Sequence, residues 1–87
     1  MAQSAKVGLM FLTYILLSQK TQKYYVGHTN DFERRFEDHN KGLNKSTKSG
    51  MPWSLVKYFR VKSKSEAVKL EIKIKKRGIA RFLKDIN

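Results

Sequence analysis

Between residues 24 and 39 the chain reads YYVGHTNDFERRFEDH, a stretch that gathers Tyr25, Arg35 and His39 within one local unit. A guanidinium grips anions through a planar fork. An imidazole exchanges protons near neutral pH, and a phenol does so where its surroundings favour the phenolate. The unit has a local logic. Tyr24, Tyr25 and Val26 are strand formers, and Gly27 relaxes the backbone at the strand end. Asn30 is the expected N-cap of a following helix, with Glu33 three residues on as a capping-box acid. Phe32 and Phe36 are four apart and predict a buried stripe. Arg35 and His39 are also four apart and predict a second face. A strand thus delivers a tyrosine, and the next helix a cation and an imidazole, to one spot.

The elements that must hold this spot follow from the pattern on either side. Residues 9–17 (LMFLTYILL) are strand formers and apolar on both faces, as in a central strand covered by helices. A polar turn, residues 18–23, leads straight into the next strand, which predicts an antiparallel hairpin. The first helix is expected over 31–40, stopped by Gly42. Residues 43–52 (LNKSTKSGMP) read as a flexible polar loop. Residues 53–61 (WSLVKYFRV) read as the third strand. Ser63 and Glu66 fit a capping box before a helix whose stripe is Ala67, Leu70 and Ile74. Gly78 ends that helix, and Ile79, Phe82, Leu83 and Ile86 repeat at the spacing of a third. The order is β-β-α-β-α-α, a three-stranded antiparallel sheet with flanking helices, of α/β (α+β) class. Residues 1–87 are read as a single domain with one modest core.

Charge narrows the partners. The chain carries 19 Lys+Arg against 7 Asp+Glu, a net +12. Residues 1–40 contribute +1 (five basic, four acidic) and residues 41–87 contribute +11 (fourteen basic, three acidic). A folded domain this basic is expected to meet a polyanion, and nucleic acid leads over an acidic membrane or ribosomal surface. No cysteine is present, so a disulfide framework and a thiolate metal site are both excluded. This suits a reducing compartment, and the cytoplasm is the expected location. The apolar run 7–17 is shorter than the about 20 residues that span a bilayer. It has Lys6 ahead of it, but Thr13 and Tyr14 interrupt it, so a buried strand is preferred over a signal segment.

On these residues the chain resembles the GIY-YIG nuclease superfamily, in its small stand-alone form, over about residues 11–78. The family's first strand ends in G-I-Y, matched by Leu12-Thr13-Tyr14. Its second carries Y-I-G, matched by Tyr25-Val26-Gly27, with the two tyrosines eleven positions apart. Arg35 matches the arginine of the next helix, and His39 the His or Tyr one turn later. Glu71 matches the glutamate of a later helix. The tyrosines are kept where Gly-Ile becomes Leu-Thr and Ile becomes Val. Stand-alone members resemble the catalytic domain of the excision nuclease C subunit, and DNA repair is an expectation carried by that likeness of name alone.

The resemblance implies a metal-dependent endonuclease acting on DNA ahead of RNA. Tyr14, Tyr25, Arg35 and His39 would be catalytic: Tyr14 activates water, Tyr25 or His39 relays its proton, and Arg35 pairs with phosphate oxygens. Glu71 would hold one divalent cation, Mg²⁺ or Mn²⁺, largely hydrated. All five would converge on a single phosphate. Lys45, Lys48, Lys73, Lys76 and Arg77 would grip the backbone. Trp53, Tyr58 and Phe59 could stack on bases, with core packing expected for at least two. Blander roles stay open: the tyrosines as strand aromatics, Arg35 paired with Asp31 or Asp38, His39 as a helix-end residue, Glu71 as an i,i+4 partner of Lys75. His28 is read as structural. A non-catalytic nucleic-acid-binding module and a protein-docking domain with a basic face are the competing functions. Membrane partners are not expected, and oligomeric state has no signal in the sequence.

Overall fold

The computed structural model describes residues 11–87. The loose start expected over 1–6 and the beginning of the first strand lie outside the described residues. Strands β1 (Phe11–Ser18), β2 (Tyr24–Thr29) and β3 (Trp53–Val61) form one antiparallel sheet in the order β2-β1-β3. Helices α1 (Phe32–Lys41), α2 (Lys64–Arg77) and α3 (Ile79–Ile86) complete it, with a 3₁₀ turn at Lys48–Gly50. The β-β-α-β-α-α order and the α+β architecture agree with the sequence reading. The central strand is the one whose sequence is apolar on both faces, because each face is roofed.

Alternation along β1 sorts the side chains into two cores. One face holds Ile15 and, across the ladder, Val26 of β2. Ile74 of α2 and Phe82 of α3 close over them, with Phe59, Leu70, Ile79 and Leu83 packed around. The buried Thr13 hydroxyl of this face donates to the Ala67 carbonyl of α2 at 2.9 Å, tying strand to helix. The opposite face holds Tyr14, Leu16 and Trp53, flanked by Tyr25, Phe32, Phe36 and Met51. Trp53 is therefore a core residue and Phe59 a partly buried one, while Tyr58 stays exposed.

Three local expectations are revised. The N-cap of α1 is Asp31, whose side chain accepts from Arg34 N, rather than Asn30. The cause is one residue earlier: Thr29 Oγ1 accepts from Asp31 N at 3.0 Å, a side-chain turn that uses up Asn30. The Asn30–Glu33 box therefore does not form. The Ser63 cap does form, but Glu66 reaches back to Lys62 N instead of Ser63 N. The loop 43–52 is bound internally rather than open. Asn44 accepts from Ser46 and Thr47, and Thr47 is 1% exposed. Among the described residues no helix is long and apolar enough to cross a membrane.

Candidate active site

Tyr14 stands at the centre of β1 and is 1% exposed. It faces Gly27 in the β1–β2 register. A Cβ at position 27 would fall 2.8 Å from the Tyr14 hydroxyl and 3.1 Å from the Tyr25 ring, so only glycine admits both tyrosines at this distance. Phe32 meets the Tyr14 ring edge-on at 5.4 Å and stacks on Phe36. Tyr25 packs edge-on to His39 at 5.1 Å and to Trp53 at 6.0 Å.

His39 is fully buried. Positions 32, 36 and 39 follow one another at helical spacing, so His39 belongs to the phenylalanine stripe rather than to a separate face. Its Nε2 and the Tyr14 hydroxyl share a hydrogen bond of 2.9 Å. Its Nδ1 and Thr47 Oγ1 share another of 2.7 Å. Asn40 fixes the end of α1 against the sheet. Its amide donates to Trp53 O at 3.1 Å and its carbonyl accepts from Trp53 N at 2.6 Å. Burial pushes the His39 pKa down, and the nearby Arg35 charge pushes the same way against Asp38. His39 is therefore a neutral imidazole at physiological pH.

Arg35 lies exposed on α1 and makes no ion pair among the described residues, so the pairing with Asp31 or Asp38 that its spacing allowed is absent. Its guanidinium is free to meet an anion. The Tyr14 pKa is raised, first by burial and then by Tyr25 and Glu71, with Arg35 pulling in the opposite direction. Arg35 is thus the group in the site that favours the phenolate.

Glu71 approaches from the α2 side, next to His28, while Tyr14 and Tyr25 face α1. It is coupled to Tyr14 through its charge rather than by contact. Its Oε1 accepts from His28 Nδ1 at 2.6 Å and its Oε2 from Lys75 Nζ at 2.8 Å. Burial pushes the Glu71 pKa up, but the hydrogen bonds and charges of Lys75 and His28 outweigh it, and the net direction is down. Both the i,i+4 pair with Lys75 and a direct partnership between Glu71 and His28, which the sequence reading left structural, are present. Strand alternation could have signalled this: Val26 and His28 share the face that α2 covers. Thr47 had no signal of this kind, since it sits in an irregular loop.

A hard divalent cation takes carboxylate and water oxygens. Glu71 is an ionised carboxylate with its side chain 15% accessible, and the Lys75 on its Oε2 is 58% exposed. The chemistry of this carboxylate suits one hydrated cation, which would have to displace Lys75 from Oε2. No group of three or more His, Asp or Glu is assembled for a metal among the described residues.

Lys45 and Lys48 are exposed around the 3₁₀ turn, and Lys73 and Lys76 are exposed along α2. Arg77 is gripped by Asp85 through contacts of 2.8 and 3.1 Å, so part of its charge is spent within the chain.

Comparison with known proteins agrees with this architecture. The GIY-YIG catalytic domain family matches residues 10–82. A UPF0213 protein of Listeria welshimeri is 34% identical over 64 residues, covering 72% of this chain and 71% of its own length. A UPF0213 protein of Listeria innocua matches to the same extent. The structure-specific endonuclease subunit slx1 of Schizosaccharomyces pombe is 35% identical over 82 residues, 86% of this chain, which spans 30% of that subunit's length. No solved structure matches the chain significantly. The chain belongs to the GIY-YIG catalytic domain family, a family of nucleases.

Proposed function

We propose that this chain is an endonuclease that hydrolyses DNA phosphodiester bonds with the help of one Mg²⁺ or Mn²⁺ ion. The observation that carries the reading is the buried 2.9 Å hydrogen bond between Tyr14 and His39, which sets a phenol against a neutral imidazole. Tyr14 takes a proton from the attacking water as it passes its own to His39. Arg35 draws the phosphate oxygens in through its fork and favours the phenolate by its charge. Tyr25 packs His39 and walls the site. Glu71 would hold the cation, which when bound supplies charge neutralisation on the phosphoryl and leaving oxygens. Lys45, Lys48, Lys73 and Lys76, with Arg77 as far as Asp85 leaves it free, position the backbone without reading sequence.

Supercoiled plasmid with Mn²⁺ is the direct assay. Nicking by the wild type, lost in Arg35→Ala and in Glu71→Ala while circular dichroism is unchanged, supports the reading. A wild type that cuts no nucleic acid with any divalent metal contradicts it. One observation favours a second reading, a binding module without catalysis: both Glu71 oxygens are already occupied by His28 and Lys75. That module predicts salt-sensitive binding without metal that survives Glu71→Ala.

A further inference from the structure

Two buried hydroxyls flank His39, and the geometry decides which way the protons point. Tyr14 Oη lies on Nε2 and Thr47 Oγ1 on Nδ1. Suppose Nε2 carried the imidazole proton. It would donate to Tyr14, and Thr47 would donate to Nδ1. In the resting protein, before substrate and attacking water enter, the phenol proton of Tyr14, at 1% exposure, would then have no acceptor among the described residues. A buried donor left unpaired is a costly state that native interiors avoid. Suppose instead that Nδ1 carries the proton. Nδ1–H donates to Thr47 Oγ1, and the phenol donates to the bare Nε2. The threonine hydroxyl then turns to the Asn44 carbonyl at 3.4 Å, a longer contact that leaves no donor stranded. Among the described residues, all three protons have acceptors in this arrangement alone.

Thr47 is itself held in place from several directions. Its amide donates to Asn44 O at 3.1 Å, and its carbonyl accepts from the Trp53 indole at 2.8 Å. The side chain is thus fixed by a turn and by the core tryptophan before it meets His39. A neutral histidine side chain free in water favours the proton on Nε2, so the opposite form needs both partners here: the phenol, which requires a bare Nε2, and the loop hydroxyl, which accepts from Nδ1–H.

We infer that Thr47 is a positioning residue that locks His39 in the tautomer with a bare Nε2, making His39 rather than Tyr25 the acceptor of the Tyr14 proton. The catalytic part of this rests on the nuclease reading above; the tautomer itself does not. The step balances. The water oxygen bonds to phosphorus as its proton passes to Tyr14 Oη, and the phenol proton passes to Nε2, leaving His39 as an imidazolium. The bond from phosphorus to the leaving ester oxygen breaks with its electron pair on that oxygen, which takes a proton from solvent. The imidazolium returns its proton to bulk water after the products leave.

The test is long-range ¹H–¹⁵N correlation of the His39 ring in wild type, Thr47→Val and Thr47→Ser, together with nicking of plasmid by the same three proteins. The expected result is a protonated Nδ1 and bare Nε2 in wild type and in Thr47→Ser. Thr47→Val, nearly isosteric, should show a mixed or reversed tautomer and at least tenfold slower nicking, with KM little changed. Rescue by serine separates a hydroxyl effect from a packing effect. A wild-type ring protonated on Nε2, or an unchanged tautomer in Thr47→Val, overturns the inference. So does a shifted tautomer with undiminished nicking. If wild type fails to nick at all, the nuclease reading falls and takes the catalytic role of Thr47 with it, while the ring signals still decide the tautomer. Should Thr47→Val fail to fold, the wild-type and Thr47→Ser rings carry the decision.

Discussion

At the scale of single residues, Tyr14 is the point where opposing forces meet. Burial holds its proton on, Tyr25 and Glu71 add to that, and Arg35 works to release it. A phenol so placed gives up its proton only in concert with an acceptor, and His39 is in contact. Tyr14→Phe is expected to lower nicking by about 10²–10⁴-fold, the usual scale for losing a general base. Steady-state nicking rates beside a urea melt would check this, since a collapse of stability would point to packing instead. His39 adds a pH dependence to the fold. Its folded-state pKa lies below the ordinary 6.5. As pH drops through about 6.5, the unfolded chain therefore takes up more protons than the native one. The His39 contribution is fully present above that pH and declines as pH falls toward the lowered folded value. Urea midpoints measured between pH 8 and pH 5 should fall more in wild type than in His39→Gln. Equal falls would mean that other groups dominate.

At the scale of elements, the sheet edge at Gly27 joins two helices that cover opposite faces. The α1 side brings Arg35 and His39, the α2 side brings Glu71, and β2 passes between them with its smallest residue facing Tyr14. Gly27→Ala drives a methyl group toward the Tyr14 hydroxyl, so the phenol must shift off His39. The expected outcome is a loss of nicking larger than the loss of stability, seen by pairing the assay with a thermal melt. An unaltered nicking rate would show that Tyr14 has more room than its neighbours allow. Much of this layout was legible in the chain. Tyr14, Tyr25, Arg35 and His39 lie on the strands and helix that their spacing implied, and β3 runs over the residues its pattern marked. What was not legible depends on contacts between distant segments. His28 meets Glu71 across 43 positions, and no local period encodes that pairing. Thr47 is irregular loop by composition and is buried only because Trp53 and His39 close over it. Asn30 loses the cap to Asp31 because a threonine hydroxyl two residues upstream competes for the chain.

At the scale of the whole molecule, a net charge of +12 on 87 residues, with +11 after position 40, favours contact with a polyanion. Binding to duplex DNA is expected to weaken steeply with salt, by a slope of about −0.9 per phosphate contacted in log K against log salt. Replacing Lys73 or Lys76 by Ala should each reduce that slope by about 1, without altering sequence preference. Fluorescence anisotropy over a salt series measures it, and an unchanged slope would remove α2 from the interface. Hydrolysis itself is decided by setting labelled duplex, branched and single-stranded DNA against wild type and Glu71→Ala with Mn²⁺. Cleavage of at least one substrate by wild type and none by Glu71→Ala is expected, with both proteins binding. Cleavage that persists undiminished in Glu71→Ala, or a wild type that binds every substrate and cuts none, would contradict it.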